Sequence, residues 1–276
     1  MADERTSELS PMTGANVGDL FGMFFSPGAI AITGATTATI GRMHACADSG
    51  SPADYTVMLP AASGNAGKMI GFRMNPGLTK LVALEGNSSE TIDGATTRIM
   101  WAGESAILIC DGSNWFKIAG KTLAMSAEVY ASRSVDVPTS PTHTKVFVDT
   151  VVSNKGGMAD AVNGRFVIKR PSVYLLLTHT RFCAASPNHG APFSVACTRV
   201  ISGIHLNDVL LTPFAEVDTP GNTFPTPQLT VRRTLAAGDI VESFAIQTSG
   251  TTQGIQGHDV FLVDYSRMTA IEVPQW

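Results

Sequence analysis

Short apolar runs separated by glycine, asparagine and proline dominate the pattern of hydrophobic and polar positions from about residue 26 onward. In one such run, Tyr55, Val57 and Leu59 alternate with Thr56 and Met58. This period of two is typical of a half-buried β-strand. Turn residues separate the runs at intervals of roughly ten residues, and no convincing amphipathic helical pattern lies between them. The pattern therefore predicts an all-β protein.

The runs divide the chain into four segments. Residues 1–25 form a polar lead with isolated apolar positions, and residues 26–120 form a β-rich module. Residues 121–144 combine a first half compatible with a short helix and a second half that two prolines keep extended, so we predict a connector there. Residues 145–276 return to strand-length runs. Their succession without an amphipathic helix favours an antiparallel sandwich.

The composition of the chain argues against several classes of function. Charged residues make up 15% of the 276-residue chain, and the net charge is -4. Soluble proteins usually contain about 25% charged residues, so the low value suits turn-rich β structure or surfaces buried against other copies of the chain. No run rich in lysine or arginine is present to bind phosphate backbones, and we predict no nucleic-acid partner. No apolar stretch is long enough to predict membrane insertion, and the first residues do not show a secretory-signal pattern.

The four cysteines, Cys46, Cys110, Cys183 and Cys197, occur singly and form no CxxC pair, which argues against a zinc ribbon or a redox motif. We predict reduced thiols, as in a protein that folds in a cytosol. The sequence leaves a disulfide bond between Cys183 and Cys197 as an alternative.

The sequence does not match the motifs of phosphate-binding loops, metal sites or hydrolases. The stretch at 61–69 has Ala62 and Met69 where a P-loop requires glycine and a hydroxyl residue. His179 and Cys183 lie four residues apart in a β-prone run, which separates them by about 13 Å along a strand. His258, Asp259 and Ser266 have no nucleophile-elbow context. We therefore predict no catalytic residue, no cofactor and no metal site.

Three carboxylates of the first module, Asp93, Glu104 and Asp111, were the remaining candidates for chemistry, as a glycosidase acid pair. Each is adjacent to glycine or serine. Asp-Gly favours the positive φ that tight hairpins require, so a turn explains both the aspartate and its neighbour. We interpret these residues as strand corners, and we expect Trp115 to close the core of the module or a contact between subunits.

The second half of the chain resembles the globular head of the complement first component and the related tumour-necrosis-factor-like domains. The matching pieces are an opening strand at 147–154, a Gly-x-Phe step followed by a Val-Tyr strand within 163–182, a Leu-x-x-Gly-Asp-x-Val turn and strand within 235–244, and a final core strand at 258–265. Ser172 replaces the glycine usual before Val-Tyr, and the terminal Phe-x-Gly signature is not kept. The resemblance implies a ten-stranded jelly roll that forms trimers, and it implies no particular ligand.

The first half resembles the fibre and spike proteins of tailed bacteriophages, over most of residues 5–118. The matching pieces are a strand ending in Leu-Pro with a Gly-Lys step at 54–74, an Ile-Asp-Gly step at 90–99, a closing Asp-Gly-x-Asn-Trp at 105–118, and a lead at 5–21 similar to the virion-docking start of such fibres. This resemblance implies a virion protein made in the host bacterial cytoplasm. It also implies docking on another virion protein through the N-terminus, for which we predict Leu9, Asp19, Leu20 and Phe21.

These observations together predict a homotrimeric virion fibre or spike whose C-terminal knob binds a host surface glycan or protein. Binding residues are expected on three loops, at 186–192, 219–227 and 249–259, where side chains are freed from packing. The candidates are Asn188, His189, Asn222, Phe224, Gln253 and Gln256.

Three alternatives stay open. A capsid decoration or head fibre has the same sequence features, because docking segments are short and specific to their partners. A polysaccharide-degrading tailspike requires a long repetitive β-helix and clustered acids, and the sequence indicates neither. A secreted adhesin requires a signal sequence.

Overall fold

The structure is a computed structural model that describes residues 28–48, 53–189, 191–192, 197–212, 214–219, 223–257 and 266–273, with the backbone alone at 140–142, 197–198 and 218–219. The chain divides into two compact units, Met1–Leu123 and Ala124–Trp276. In the described ranges, all of the regular secondary structure consists of β-strands. The predicted all-β class is confirmed.

The strands described in the first unit are short. They are β1 (Ile30–Ile32), β2 (Thr36–Thr37), β3 (Met43–Cys46), β4 (Tyr55–Met58), β5 (Met69–Met74), β6 (Val82–Glu85), β7 (Thr97–Met100), β8 (Ser105–Cys110) and β9 (Trp115–Ala119).

Along the first unit the chain passes alternately between two sheets. The odd strands β1, β3 and β5 pair in parallel in one sheet, and β2, β4 and β6 pair in parallel in the other. Parallel neighbours need a crossover connection, which here is supplied by a strand of the opposite sheet. The two sheets end in antiparallel strands, β8 and β9 on one and β7 on the other. The result is a short parallel winding, which the sequence did not predict.

The turns of this winding differ in length. His44 pairs with Ile30 on one side and with Phe72 on the other, so the second connection is about twice as long as the first. Unequal turns leave no fixed repeat in the sequence. Backbone pairing of β3 with both neighbours still aligns their side chains, and alternate residues enter one apolar core.

That core is closed by the largest side chain in it. Trp115 is fully buried with Ile70, Phe72 and Leu108, and its Nε1 donates a hydrogen bond of 3.3 Å to the Pro60 carbonyl. The apolar body of the ring fills space between the sheets while its polar edge reaches a partner. The prediction that Trp115 closes the core of the module is confirmed.

The second unit contains longer strands. They are β10 (Ser126–Tyr130), β11 (Val135–Val137), β12 (Ser140–Lys145), β13 (Thr150–Lys155), β14 (Ala159–Asp160), β15 (Arg165–Val167), β16 (Ser172–His179), β17 (Phe182–Ala184), β18 (Cys197–Leu206), β19 (Val209–Leu210), β20 (Ala215–Thr219), β21 (Gln228–Leu235), β22 (Ile240–Gln247), β23 (Gln253–Ile255) and β24 (Arg267–Val273).

Two antiparallel sheets form the body of the second unit. The order in one is β13-β10-β24-β16-β21, which we call the front sheet. In the other, the back sheet, the order is β14-β15-β22-β18-β19, with β12 paired to β22 and β20 to β18. Apart from the hairpins β14-β15 and β18-β19, neighbours in each sheet are distant in sequence, because the chain crosses repeatedly from one sheet to the other. This strand order is that of a jelly-roll sandwich.

A third, small sheet lies in the same unit, with the order β11-β23-β17. Its central strand β23 is paired on both edges, to β11 and to β17. Gly254 in β23 packs so closely that an added Cβ would lie 2.6 Å from the Ala184 carbonyl oxygen. Glycine is required there because the neighbouring backbone leaves no room for a side chain.

Two sequence expectations differ from this architecture. The predicted connector at 121–144 contains β10, β11 and most of β12, and it holds no helix. In β10 the buried Ala127 and Val129 alternate with half-buried neighbours, a strand pattern that pairing with β24 and β13 stabilises. The expected final core strand, at 258–265, lies outside the described residues, and β24 is the last described strand between β10 and β16.

Candidate interaction surface

An apolar strip occupies the outward side of the front sheet. Along β16, Tyr174, Leu176 and Thr178 point into the sandwich, whereas the alternate residues point away from it and are half-buried. Their cross-strand neighbours on β24 are also apolar, since Val173 pairs with Val273 and Leu175 with Ile271. The apolar strip consists of Val173, Leu175, Leu177, Ile271 and Val273.

Polar residues border the apolar strip on both sides. On β21, Arg232 lies beside Leu175 and Thr230 beside Leu177, and both are exposed. On β10, Glu128 approaches Arg267 of β24 to 3.9 Å. An apolar centre surrounded by polar and charged side chains is the usual anatomy of a protein interface. Contiguous apolar surface of this kind marks a site of association.

The edge of the front sheet adds exposed valines. Val151 and Val152 of β13 are 42% and 54% exposed. The pairing of β13 with β10 shifts register at this point, and Lys155 lies at the end of the strand. A bulge and a charged residue are common features of sheet edges that must not pair indiscriminately. The valines therefore expose apolar surface at the edge of the sheet, beyond the polar border on β10, without offering a regular strand edge.

The loop at 186–192 is the best described of the three predicted binding loops. Asn188 is exposed, and His189 is held by its Nε2, 2.8 Å from Oδ1 of Asp136 on β11. The Ser186 amide donates to the same oxygen at 2.9 Å. Burial by itself would raise the pKa of Asp136, but the hydrogen bonds from Ser186 and His189 outweigh it and lower that pKa. The loop is thus fixed to the small sheet by one carboxylate.

Phe224, on the second predicted loop, is half-buried beneath Arg181. The guanidinium carbon lies 4.3 Å from the ring centroid, within the distance of a cation–π contact. Asn222 lies outside the described residues. The aromatic face of Phe224 is therefore already in contact with a cation of the same chain.

Gln253 and Gln256 do not lie on the surface, contrary to the prediction of exposed binding residues. Both are fully buried, Gln253 in the central strand β23 and Gln256 just after it. The Gln253 side chain donates to the Thr251 hydroxyl at 2.9 Å. The polar, glycine-rich sequence at 249–257 suggested a loop. Its glycines instead allow this backbone to pack between β11 and β17.

The carboxylates that the sequence predicted as strand corners accept backbone amides, and Oδ1 of Asp93 accepts the amide of Lys117 at 2.9 Å. Asp93 and Gly94 both have positive φ, and the amides and carbonyls of Ile92 and Ala95 exchange hydrogen bonds of 2.7 and 3.1 Å across them. This is the geometry of a two-residue hairpin turn, so the interpretation of Asp93 as a corner is confirmed. Asp111 and Glu104 also accept backbone amides at turns.

Asp111 accepts the amides of Ser113 and Asn114 through one oxygen, each at 2.7 Å. These hydrogen bonds stabilise the ionised form and lower the pKa of Asp111. Glu104 is almost fully buried and accepts the amides of Trp101 and Leu123 at 3.1 and 2.8 Å. Both acids therefore hold chain turns in place.

Leu9, Asp19, Leu20 and Phe21, predicted to dock on a virion protein, lie outside the described residues. Within the described ranges, no group of three or more metal-binding side chains comes together. In the same ranges, the structure contains no helix long and apolar enough to cross a membrane.

Comparisons with known proteins find similarity in structure alone. No family model matches the sequence, and no curated protein does. Eiger TNF from S. frugiperda is 13% identical, with a TM-score of 0.39 over 56% of this chain and 96% of that one. Murine APRIL at pH 5.0 is 11% identical, with a TM-score of 0.40 over 55% of this chain and all of that one.

The globular domain of the zebrafish complement 1qA protein is 12% identical, with a TM-score of 0.33 over 56% of this chain and 100% of that one. These three proteins belong to the two groups whose motifs the second half of the sequence resembles. TM-scores this low give no ground for assigning the function of these proteins to this chain. The jelly-roll assignment rests on the strand order of the second unit itself.

Proposed function

We propose that this chain is a structural fibre or spike protein of a tailed-bacteriophage virion, which associates as a homotrimer and attaches the particle to the host surface through its second unit. The observation that carries the self-association is the apolar strip. The sequence resemblance of residues 5–118 to phage fibre modules supports the virion role, and the resemblance of the second half to trimer-forming heads supports the threefold state.

The physical argument for self-association begins with the cost of exposing the strip. Five apolar side chains on adjacent strands face outward. Burying apolar surface gains roughly 25 cal/mol per Å² removed from water. Closing copies of the chain around a symmetry axis buries the same patch in every subunit. The charged content of 15% fits a chain with part of its surface hidden in this way.

Light scattering and native mass spectrometry of the purified full chain test the homotrimer. We expect three times the chain mass of 29.1 kDa. Ile271→Asp places a charge in the centre of the strip, at a side chain that is 39% exposed in the single chain. We expect it to weaken association by about 2 kcal/mol or more, or about thirtyfold, as for an interface hot spot.

Val209→Asp is the matched control, because it places the same charge on a valine that is 66% exposed on β19 of the back sheet. This variant should remain associated, and circular dichroism should show that both variants keep the β fold. A monomeric wild-type chain at high concentration contradicts the proposal, as does equal association of both variants.

Attachment is tested by competition. Purified protein should block adsorption of the virion that carries it, and Asn188→Ala should reduce that block because Asn188 is exposed on a predicted binding loop. Gold labelling of the virion should place the protein on the tail. A position on the capsid would replace host attachment with capsid decoration, and release of sugars from host glycan would replace it with a degradative spike.

A further inference from the structure

Two histidines from different strands meet on the outward side of the back sheet. His143 lies on β12 and His205 on β18, on opposite sides of β22. Their rings are hydrogen-bonded, with Nδ1 of His143 2.7 Å from Nε2 of His205. Phe244 of β22 contacts both rings, with its centroid 3.5 Å from that of His205 in a stacked arrangement and 6.2 Å from that of His143 in an edge-on one.

Three charged groups accompany the Phe244 ring around this pair. His205 is 8% exposed, and Glu242, its neighbour on β22, is 7% exposed. The Glu242 carboxylate is paired with Lys145 of β12. Asp208, in the turn after β18, is the other acidic group near His205. The charged groups that face the two histidines are therefore one cation and two anions, of which one anion is already paired.

The hydrogen bond between the rings needs one proton between the two facing nitrogens, because one nitrogen must donate and the other accept. The neutral pair meets this condition, and so does the pair that has taken up one proton and carries one positive charge. Uptake of a second proton makes both rings positive and places an N–H on each facing nitrogen, so the acceptor is lost and two like charges lie within hydrogen-bonding distance. Like charges at such a separation disfavour each other's ionisation. Burial first, and the charge of His143 second, lower the pKa of His205, against the smaller opposing effects of Glu242 and Asp208.

The strand that carries His143 is joined to the sheet along one edge. Among the described residues, β12 pairs only with β22, and its register shifts between Ser140 and Thr144. The contact of His143 with His205 reaches across the outward side of β22 to the strand beyond it. Losing that contact removes a side-chain interaction that, together with the Lys145–Glu242 ion pair, holds β12 on the sheet.

We propose that the His143–His205 pair is a pH-sensitive latch, in which uptake of a second proton separates the rings and releases β12 from β22. The device is independent of the virion role proposed above. It couples acidity to the edge of the back sheet, and β11, which carries the Asp136 that fixes the 186–192 loop, directly precedes β12.

The direction of the pH effect follows from the lowered pKa of His205. The opened or unfolded chain takes up a proton near the ordinary value of about 6.5, whereas the closed latch resists it to lower pH. Closure is therefore fully stabilised above about pH 6.5 and loses stability as the pH falls below that value.

Hydrogen exchange measured by mass spectrometry on the full chain, at pH 7.5 and pH 5.5, tests the latch at its own strand. After correction for intrinsic exchange rates, we expect peptides covering Thr144 and Lys145 to exchange several-fold faster at pH 5.5 than at pH 7.5, because the opened strand takes up protons that the closed latch excludes. In His143→Gln, which cannot take up the second charge, this acceleration should disappear.

His179→Gln is the matched control, because His179 lies on β16 of the front sheet, and it should keep the wild-type response. Histidine ring NMR of the unmodified chain gives a second measurement that does not depend on a variant folding. The pair should titrate in two macroscopic steps, with loss of β12 protection at the lower one. Two independent titrations near pH 6.5, or unchanged β12 exchange at pH 5.5, would overturn the proposal.

Discussion

The two units fill their interiors with different chemistry. In the first unit, the buried side chains of the described residues are apolar except for His44 and Glu104. In the second, hydroxyl and amide side chains lie between the two sheets. Thr178 of β16 bonds Ser243 of β22 at 2.6 Å, and Thr180 bonds Ser202 of β18 at 2.8 Å.

The difference follows from how each unit aligns its sheets. In the parallel winding, each connection runs directly from one sheet to the other, so the chain itself limits how the sheets slide. In the sandwich the chain also crosses between the sheets, but the facing surfaces of the longer strands contact each other through side chains, and apolar contacts are non-directional. Hydrogen bonds between facing hydroxyls are directional, and a fully satisfied buried network favours a unique arrangement.

The largest expected effect tests whether the first unit depends on its apolar core alone. Trp115→Ala leaves a cavity at a fully buried position and should destabilise the unit by about 3–5 kcal/mol. Urea unfolding followed by hydrogen exchange of β4 and β8 measures it. Phe116→Ala, at the adjacent residue that is 40% exposed, should cost about 0.5 kcal/mol or less. Similar losses of stability in Trp115→Ala and Phe116→Ala would show that the first unit does not depend on its apolar core in this way.

A second prediction concerns charge in the interior of the second unit. Glu272 accepts from Nε of Arg170 at 2.9 Å and from Nη2 at 2.5 Å, and it also accepts the Met125 amide. Glu272→Gln removes the carboxylate charge from this largely desolvated ion pair, and should cost about 3 kcal/mol. Chemical denaturation measures the loss.

The exposed pair of Arg199 and Glu216, with the same Nε–carboxylate distance of 2.9 Å, provides the control. Glu216→Gln should cost about 0–1 kcal/mol, because solvent screens an exposed ion pair. A loss in Glu272→Gln no larger than in Glu216→Gln would mean that the interior of the second unit does not depend on this ion pair.

A third prediction sharpens the role of the hydroxyl pairs. Ser243→Ala leaves the Thr178 hydroxyl without its partner and should cost about 1–3 kcal/mol. Thr178→Val has the reciprocal effect. The double variant replaces both groups by apolar ones and should be less destabilised than the sum of the two single variants. Additive losses in this double-mutant cycle would show that the two hydroxyls do not act as a pair.

The smallest expected effect lies at the surface of the first unit, at Asp111. Its lowered pKa means that the carboxylate stabilises the turn above the pKa of the unfolded chain, near 3.8, and that this stabilisation is lost as the pH falls through the folded pKa. Asp111→Asn should therefore be slightly less stable than wild type at pH 7, and the difference should shrink as the pH falls below 3.8. A difference independent of pH would exclude the charge as its cause.

The sequence predicted those features that depend on local chemistry. The Asp93-Gly94 turn followed from the positive φ that a tight hairpin needs, and the strands followed from alternation of apolar and polar residues. The interior position of Trp115 followed from its place after a turn. These signals extend over a few residues, so they are visible in a single chain.

Features that depend on distant pairing were not predictable in the same way. A run such as β3 has the same alternation whether its neighbours are parallel or antiparallel, so the winding of the first unit was missed. His143 and His205 are 62 residues apart, and nothing in the sequence places them on either side of β22. For β10 the signal was present, because Ala127 and Val129 alternate with Glu128 and Tyr130, but the segment was interpreted as a connector.

The unequal turns of the first unit have a consequence for engineering. Backbone pairing, and not a fixed repeat length, aligns the strands of the winding. Connections of different length therefore join strands that keep the same pairing in their sheet. The loop between β4 and β5 includes Ser63 and Gly64, both exposed, and an added Cβ at Gly64 meets nothing within 4 Å. A peptide tag or a small reporter domain inserted between these two residues should leave the core of the unit intact, which makes this turn a natural position for labelling the protein.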